Sequence, residues 1–137
     1  MRLAAATCAL VTAFSAFGQV NVLSGRYATV SESEWEMRID LRSDDSATLE
    51  IASWEPGGAD KPKVKRYRGS WSVTRADVSI KFKEGTATFR FEPQLSFAEF
   101  GRKGAAPGLV GKSASFERST IVRRSLWLEA DLKRLKW

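Results

Sequence analysis

Residues that could do chemistry are scarce in this sequence. It contains no histidine, and its single cysteine, Cys8, lies near the N-terminus. Histidine and cysteine supply most general bases, thiolate nucleophiles and zinc ligands, so sites of those kinds are not expected. The sequence also lacks a calcium-binding Asp-x-Asp-x-Asp-Gly loop, a Gly-rich phosphate loop and a Gly-x-Ser-x-Gly motif. We therefore expect no enzyme activity, no cofactor and no metal.

Carboxylates remain as candidates, because two of them suffice for a glycosidase. Most of the sixteen acidic residues, however, fall at outward strand positions or in turns. The adjacent Asp44 and Asp45 could suggest acid–base or calcium chemistry. Aspartate is more typical of a hairpin tip, where its side chain bonds its own backbone, and we predict a turn there.

Basic residues outnumber acidic ones by 22 to 16, which gives a net charge of +6. This balance suits acidic partners such as lipid headgroups, anionic polysaccharide or an acidic protein, although solubility alone also explains it. Residues 61–68 predict a strand with a basic outer face, which is either an anion-binding stripe or an edge that charge protects against pairing. The bases of this stretch are Lys61, Lys63, Lys65, Arg66 and Arg68.

β-Strands must position these residues. Residues 63–91 hold three runs of alternating apolar and polar residues, separated by short breaks at 74–77 and 83–86. Period two places alternate side chains on one face, and the breaks suit hairpin turns. This segment predicts a three-stranded antiparallel meander with Trp71 in the core.

The same alternation predicts about eight strands and an all-β, antiparallel up-and-down barrel. The strands are expected near Tyr27, Met37, Leu49, Tyr67, Ile80, Phe89, Phe97 and Leu128. The bulky inward side chains are Tyr27, Trp35, Trp71, Phe82, Phe89, Phe91 and Phe97. Since these rings point inward, they are not available to stack on bases, and we expect no nucleic-acid partner. The C-terminal segment fits a closing strand to about Asp131, although its leucines also fit a helical face.

Two long connections flank this sheet. Residues 54–62 are rich in proline and glycine, and residues 101–112 hold four of the ten glycines and a proline. We predict that residues 101–112 form a flexible loop with Leu109 and Val110 at its tip.

The first eighteen residues predict a signal peptide. Arg2 gives a positive start, an apolar run follows, and small residues at Ala16 and Gly18 suit cleavage before Gln19. Residues 19–137 would then form one barrel domain without cysteine, in the periplasm or secreted. No segment is apolar enough for a stable membrane span of about 20 residues.

Two glycine–aromatic pairs and the hairpin between them carry a family resemblance. Gly25-Arg26-Tyr27 and Gly69-Ser70-Trp71 each open a strand, and LRSDDSATL lies between them. This rhythm resembles small lipocalin-like barrels of the bacterial envelope, including the N-terminal domain of the copper-responsive outer-membrane lipoprotein. That domain's Cys-x-x-Cys motif and lipid-bearing cysteine have no counterpart here. The resemblance covers residues 25–91 and implies a calycin-type barrel that binds or senses.

The first functional expectation is a non-catalytic exported protein that binds a small apolar or amphipathic, anionic, lipid-like ligand at the barrel mouth. Its candidate residues are Trp54, Phe100, Leu109, Val110, Lys61, Lys63, Arg102 and Lys103. The alternative is a protein-interaction module, such as an inhibitor or envelope-stress accessory that meets an envelope protein. It would use the basic outer face at Lys63, Lys65, Arg66 and Arg68.

Overall fold

The computed structural model describes residues 21–30, 34–55 and 61–135. Within these residues the chain forms a closed barrel of eight antiparallel strands, each paired with its neighbour in sequence, and the eighth pairs with the first. The strands are β1 Gly25–Ala28, β2 Trp35–Leu41, β3 Ser46–Ser53, β4 Lys63–Thr74, β5 Asp77–Phe82, β6 Thr86–Ser96, β7 Ala105–Ala114 and β8 Ser125–Leu128. The helices are a 3-10 helix Ala98–Phe100, α1 Arg118–Ile121 and α2 Glu129–Arg134. The predicted all-β up-and-down barrel is confirmed, and the predicted signal peptide lies outside the described residues.

Alternation along the strands builds the core, as the sequence pattern predicts. Met37 and Ile39 of β2 and Val78 and Ile80 of β5 are fully buried, while the residues between them are half-buried or exposed. The inward side chains of all eight strands pack into one continuous cluster. Removing this apolar surface from water is the main term that stabilises the barrel.

The meander of β4, β5 and β6 is confirmed, with short turns after Thr74 and Phe82. Trp71 packs against the core but is only half-buried, because it lies near the end of the barrel that holds the β2–β3 and β4–β5 turns. Its indole Nε1 donates a hydrogen bond to the Arg42 carbonyl at 2.8 Å. Trp71 is therefore a rim residue of the core and contributes to closing that end.

The predicted seventh strand near Phe97 and the predicted flexible loop over residues 101–112 are both wrong. β6 continues to Ser96, Phe97 begins the connection, and β7 occupies Ala105–Ala114. The glycines of β7 allow close approach rather than flexibility. A methyl group on Gly111 would overlap the Ile121 carbonyl, and one on Gly108 would lie 2.5 Å from the Leu126 carbonyl.

The C-terminal segment divides between strand and helix. β8 ends at Leu128, earlier than the predicted limit near Asp131, and α2 follows it directly. Leu132 of α2 is buried on the outer wall of the barrel. It belongs to a second cluster, here called the outer cluster, which consists of Ala28, Phe97, Ala106, Trp127 and Leu132.

Both ends of the barrel are covered by chain segments. At one end, the β7–β8 connection inserts Ile121, which is fully buried, and Phe116, whose ring lies 4.9 Å from that of Tyr67. At the other end, Val22 packs against the core, and the Tyr27 hydroxyl donates to the Leu23 carbonyl at 2.6 Å.

The buried Tyr27 predicts a pH dependence of stability. Burial raises the pKa of its hydroxyl above the ordinary value of about 10. The unfolded chain therefore ionises first, and the stability that neutral Tyr27 contributes is complete below about pH 10 and is lost as pH rises towards the folded pKa. We expect Tyr27→Phe to lower the free energy of unfolding by about 1 kcal/mol at neutral pH.

Above about pH 10 this difference between Tyr27→Phe and the wild type should shrink, by up to about 1.4 kcal/mol per pH unit. Urea unfolding of both proteins between about pH 8 and pH 11 measures it. Since the half-buried Tyr67 is present in both chains, its own titration cancels. A difference that stays constant over the whole range would contradict the assignment.

Candidate functional site

Leu109 and Val110, two of the predicted ligand-binding residues, lie in the middle of β7. Leu109 is fully buried in the core, and Val110 pairs with Arg90 of β6 and Ser125 of β8. Their placement at a loop tip is wrong because the glycine-rich segment is a paired strand.

The other predicted residues divide into two groups. Trp54 is half-buried, and its backbone N–H donates to the Glu34 carbonyl at 2.8 Å. Close in sequence, Lys61 is exposed and the Lys63 ammonium forms an ion pair with Glu55 at 2.9 Å. These residues flank β3 and β4.

The second group belongs to the β6–β7 connection. Phe100 contacts Trp127 of the outer cluster, with ring centroids 5.7 Å apart. The Arg102 guanidinium donates to the Leu135 carbonyl at 3.4 Å, and Lys103 is exposed. The predicted set is thus distributed over the barrel interior, the outer wall beside Trp127 and the start of β4.

Phe100 also borders a small cavity of about 90 Å³ with Trp35 and Arg124. The guanidinium of Arg124 lies 4.4 Å from the centre of the Trp35 ring, in a cation–π contact. This volume holds only a few water molecules, and it is too small for an amphipathic ligand.

A larger cavity, of about 440 Å³, lies on the outer surface of β3 and β4. Three arginines line it, and we call Arg42, Arg66 and Arg68 the basic face. The strand register explains their convergence: Arg66 lies opposite Glu50, and Arg68 opposite Thr48. Side chains alternate across the sheet, so these positions all point outward.

Arg42 reaches this surface from the end of β2. Its guanidinium donates to Thr48 Oγ1 at 2.8 Å and to Ser46 Oγ at 3.3 Å, and it forms an ion pair with Asp40 at 3.2 Å. Arg66 donates from Nε and Nη2 to Glu50 Oε2, at 3.1 and 3.0 Å. These contacts fix the direction of two of the three guanidinium groups.

Arg68 is exposed and makes no hydrogen bond or ion pair within residues 21–30, 34–55 and 61–135. In the basic face, Arg42 and Arg66 are therefore paired with Asp40 and Glu50, and the Asp44 carboxylate also interacts with the charge of Arg42. All the groups are partly exposed, so their ion pairs contribute little to stability. The five N–H donors of Arg68 remain available to a planar anion such as a carboxylate.

The turn before β3 supports this surface. Asp44 accepts hydrogen bonds from the hydroxyl and the backbone N–H of Ser46, at 2.6 and 3.0 Å. These bonds, with a smaller contribution from Arg42, lower the pKa of the Asp44 carboxyl. Asp44 thus serves the hairpin turn, as its type and position predict.

Arg66 and Arg68 belong to the predicted basic outer face, but Arg42 was not among the predicted site residues. The sequence feature that could have identified Arg42 is its position directly after Leu41, at the end of β2 and next to the β2–β3 turn. Only the register of β2, β3 and β4 brings it beside Arg68.

Among the described residues, no group of three or more Cys, Asp or Glu side chains could hold a metal ion. In the same part of the chain, no helix has the length and apolar character needed to cross a membrane. Comparison with protein-family models, curated proteins and solved structures gave no significant match.

Proposed function

We propose that this protein is a non-catalytic binding protein that engages an acidic segment of a partner protein through its basic face. The observation that carries the proposal is the convergence of Arg42, Arg66 and Arg68 on one outer cavity of about 440 Å³. Arginine forks match carboxylates in shape and charge, and Arg68 has no internal partner among the described residues.

The amphipathic ligand at a barrel mouth, which the sequence first suggests, receives less support. Ile121 and Phe116 cover one end of the barrel, and Val22 packs against the core at the other. The inward side chains form a continuous core between these ends. A ligand inside the barrel would have to displace them.

Titration with polyglutamate tests the proposal. We expect amide chemical shifts to change around Thr48, Arg66 and Arg68, with an affinity that falls as salt screens the charges. Replacing Arg66 and Arg68 together by glutamine should lower the affinity at least about tenfold at low ionic strength. Surface charges at an interface act strongly on encounter and specificity. Removing charges elsewhere on the surface should therefore lower the affinity much less than removing those of the basic face.

The matched control replaces Arg90 and Lys103 by glutamine. Both are exposed, and the change in net charge is the same. Affinity should remain close to that of the wild type. An equal loss in both double variants would mean that polyglutamate responds to net charge alone, and the proposed site would be rejected.

A further inference from the structure

β4 extends beyond one of its neighbours. β3 pairs with it from Lys63 to Ser70, whereas β5 pairs with it only from Gly69 to Thr74. Among the described residues, no strand lies beside residues 63–68 on the β5 side. We call residues 63–68 the free edge. A row of unpaired backbone groups at such an edge is a template for another strand.

The hydrogen bonds of β4 identify which backbone groups face outward from the sheet edge. The Trp71 N–H donates to the Asp45 carbonyl at 2.8 Å, on the β3 side. Successive residues of an antiparallel ladder direct their N–H and C=O groups to opposite sides. Val64, Arg66 and Arg68 therefore direct theirs to the free side. All three residues are exposed, Val64 by 47%.

The charge of the free edge indicates which kind of strand can pair with it. Four of its six residues are basic and none is acidic. The side chains of Lys63, Lys65 and Arg66 are each more than half exposed in their ion pairs, and the Arg68 side chain has no partner within the described residues. A second copy of the chain would place these bases opposite one another, which destabilises strand pairing. An acidic strand instead brings carboxylates to the same positions.

We propose that an acidic peptide segment binds in extended form along the free edge and adds a strand to β4. This inference rests on the proposed function and gives it a geometry. The backbone groups of Val64, Arg66 and Arg68 would supply the ladder, and carboxylates on the outer face would meet the Arg66 and Arg68 guanidinium groups. Main-chain bonds supply affinity in this mode, and the charges supply selectivity.

Amide hydrogen exchange tests the ladder directly. The probe is a capped peptide that alternates glutamate and threonine and is as long as the free edge. On binding, the amides of Val64, Arg66 and Arg68 should exchange at least about tenfold more slowly. The amides of Lys65 and Tyr67 already bond to β3 and should change little. If the first three amides are protected in the free protein at dilute concentration, the edge is already occupied and the proposal fails.

N-methylated peptides separate strand addition from charge attraction. One form carries N-methyl groups on every glutamate and the other on every threonine, so each blocks one side of the peptide backbone. Strand addition requires that one form loses at least about tenfold in affinity while the other binds like the parent. If both forms bind like the parent at the basic face, the acidic-partner function survives and strand addition is rejected. If the parent peptide does not bind, both proposals fail.

A variant of the edge provides an independent check. Val64→Pro removes one N–H from the free side and leaves every charge in place, and proline is tolerated where an edge N–H faces solvent. Relative to Val64→Ala, we expect its peptide affinity to fall about tenfold. Thermal unfolding of the two variants shows whether both are folded. Equal affinities in two folded variants would overturn the proposal.

Discussion

Replacing Trp127 by alanine is expected to lower the free energy of unfolding by about 3–5 kcal/mol. Trp127 is fully buried, yet it points away from the barrel interior into the outer cluster. Its ring lies 5.0 Å from that of Phe97, and its indole Nε1 donates to the Leu95 carbonyl at 2.9 Å. The substitution removes a large apolar surface and leaves that carbonyl without its donor.

Trp127 lies in the strand that closes the barrel, so we expect this loss of stability to weaken the pairing of β8 with β1. β8 has only four residues, and its register with β1 covers just two pairs, Tyr27 with Leu128 and Ala28 with Trp127. So short a ladder is stabilised mainly by the side chains packed across it. The outer cluster joins β8 to Leu132 of α2 and to the β6–β7 connection. We therefore expect the Trp127→Ala variant to exchange its β1 and β8 amides faster than those of β2 and β3.

Trp54→Ala is the matched control, because it deletes the same side chain at a half-buried position outside both core clusters. It should cost about 1 kcal/mol. Chemical denaturation of the wild type and the two variants gives the comparison. Equal losses would show that the outer cluster does not hold the barrel closed.

The alternation of apolar and polar residues predicted most of the fold, because each strand has one face in the core and one in solvent. In β2, the alternation from Trp35 to Leu41 reappears directly as the burial pattern. In β4, Tyr67, Gly69 and Trp71 take the inward positions, and Arg66 and Arg68 the outward ones. For the same reason the outward direction of Arg66 and Arg68 could be predicted from the chain alone. Lys65, which was assigned to the same outer face, shares the parity of Tyr67 and contacts Glu117 together with it.

The sequence misled at β7 because glycine has two structural uses. Glycine suits a flexible loop, but it also allows two backbones to approach closely. The residues that Gly108 and Gly111 approach, Leu126 and Ile121, lie far along the chain, and no local pattern reveals them. Because of this error, Leu109 and Val110 were predicted at the barrel mouth, although both lie in the middle of β7. Arg42 was missed for a related reason, since its contacts depend on the register of three strands.

Replacing Gly111 by alanine is the second substitution with a large expected effect on stability. A flexible loop and a paired strand at this position would respond to it differently. Gly111→Ala should lower the free energy of unfolding by about 3 kcal/mol. The added methyl group would overlap the Ile121 carbonyl, a backbone group that cannot rotate away. The Gly111 N–H also donates to the Arg124 carbonyl at 2.8 Å, which fixes the two segments together. Ile121 covers one end of the core, so any shift that relieves the overlap disturbs that end.

Gly101→Ala is the control within the same glycine-rich segment. Nothing lies within 4 Å of the added methyl group, but Gly101 has φ of +69°, where an L-residue costs about 1–2 kcal/mol. A flexible loop would tolerate both substitutions, or would lose more at Gly101 because of its backbone conformation. A paired β7 strand instead requires the greater loss at Gly111, where φ is ordinary and space is missing. Urea unfolding of the two variants decides between them, and a smaller loss at Gly111 would contradict the close packing of β7 against the connection that covers the barrel.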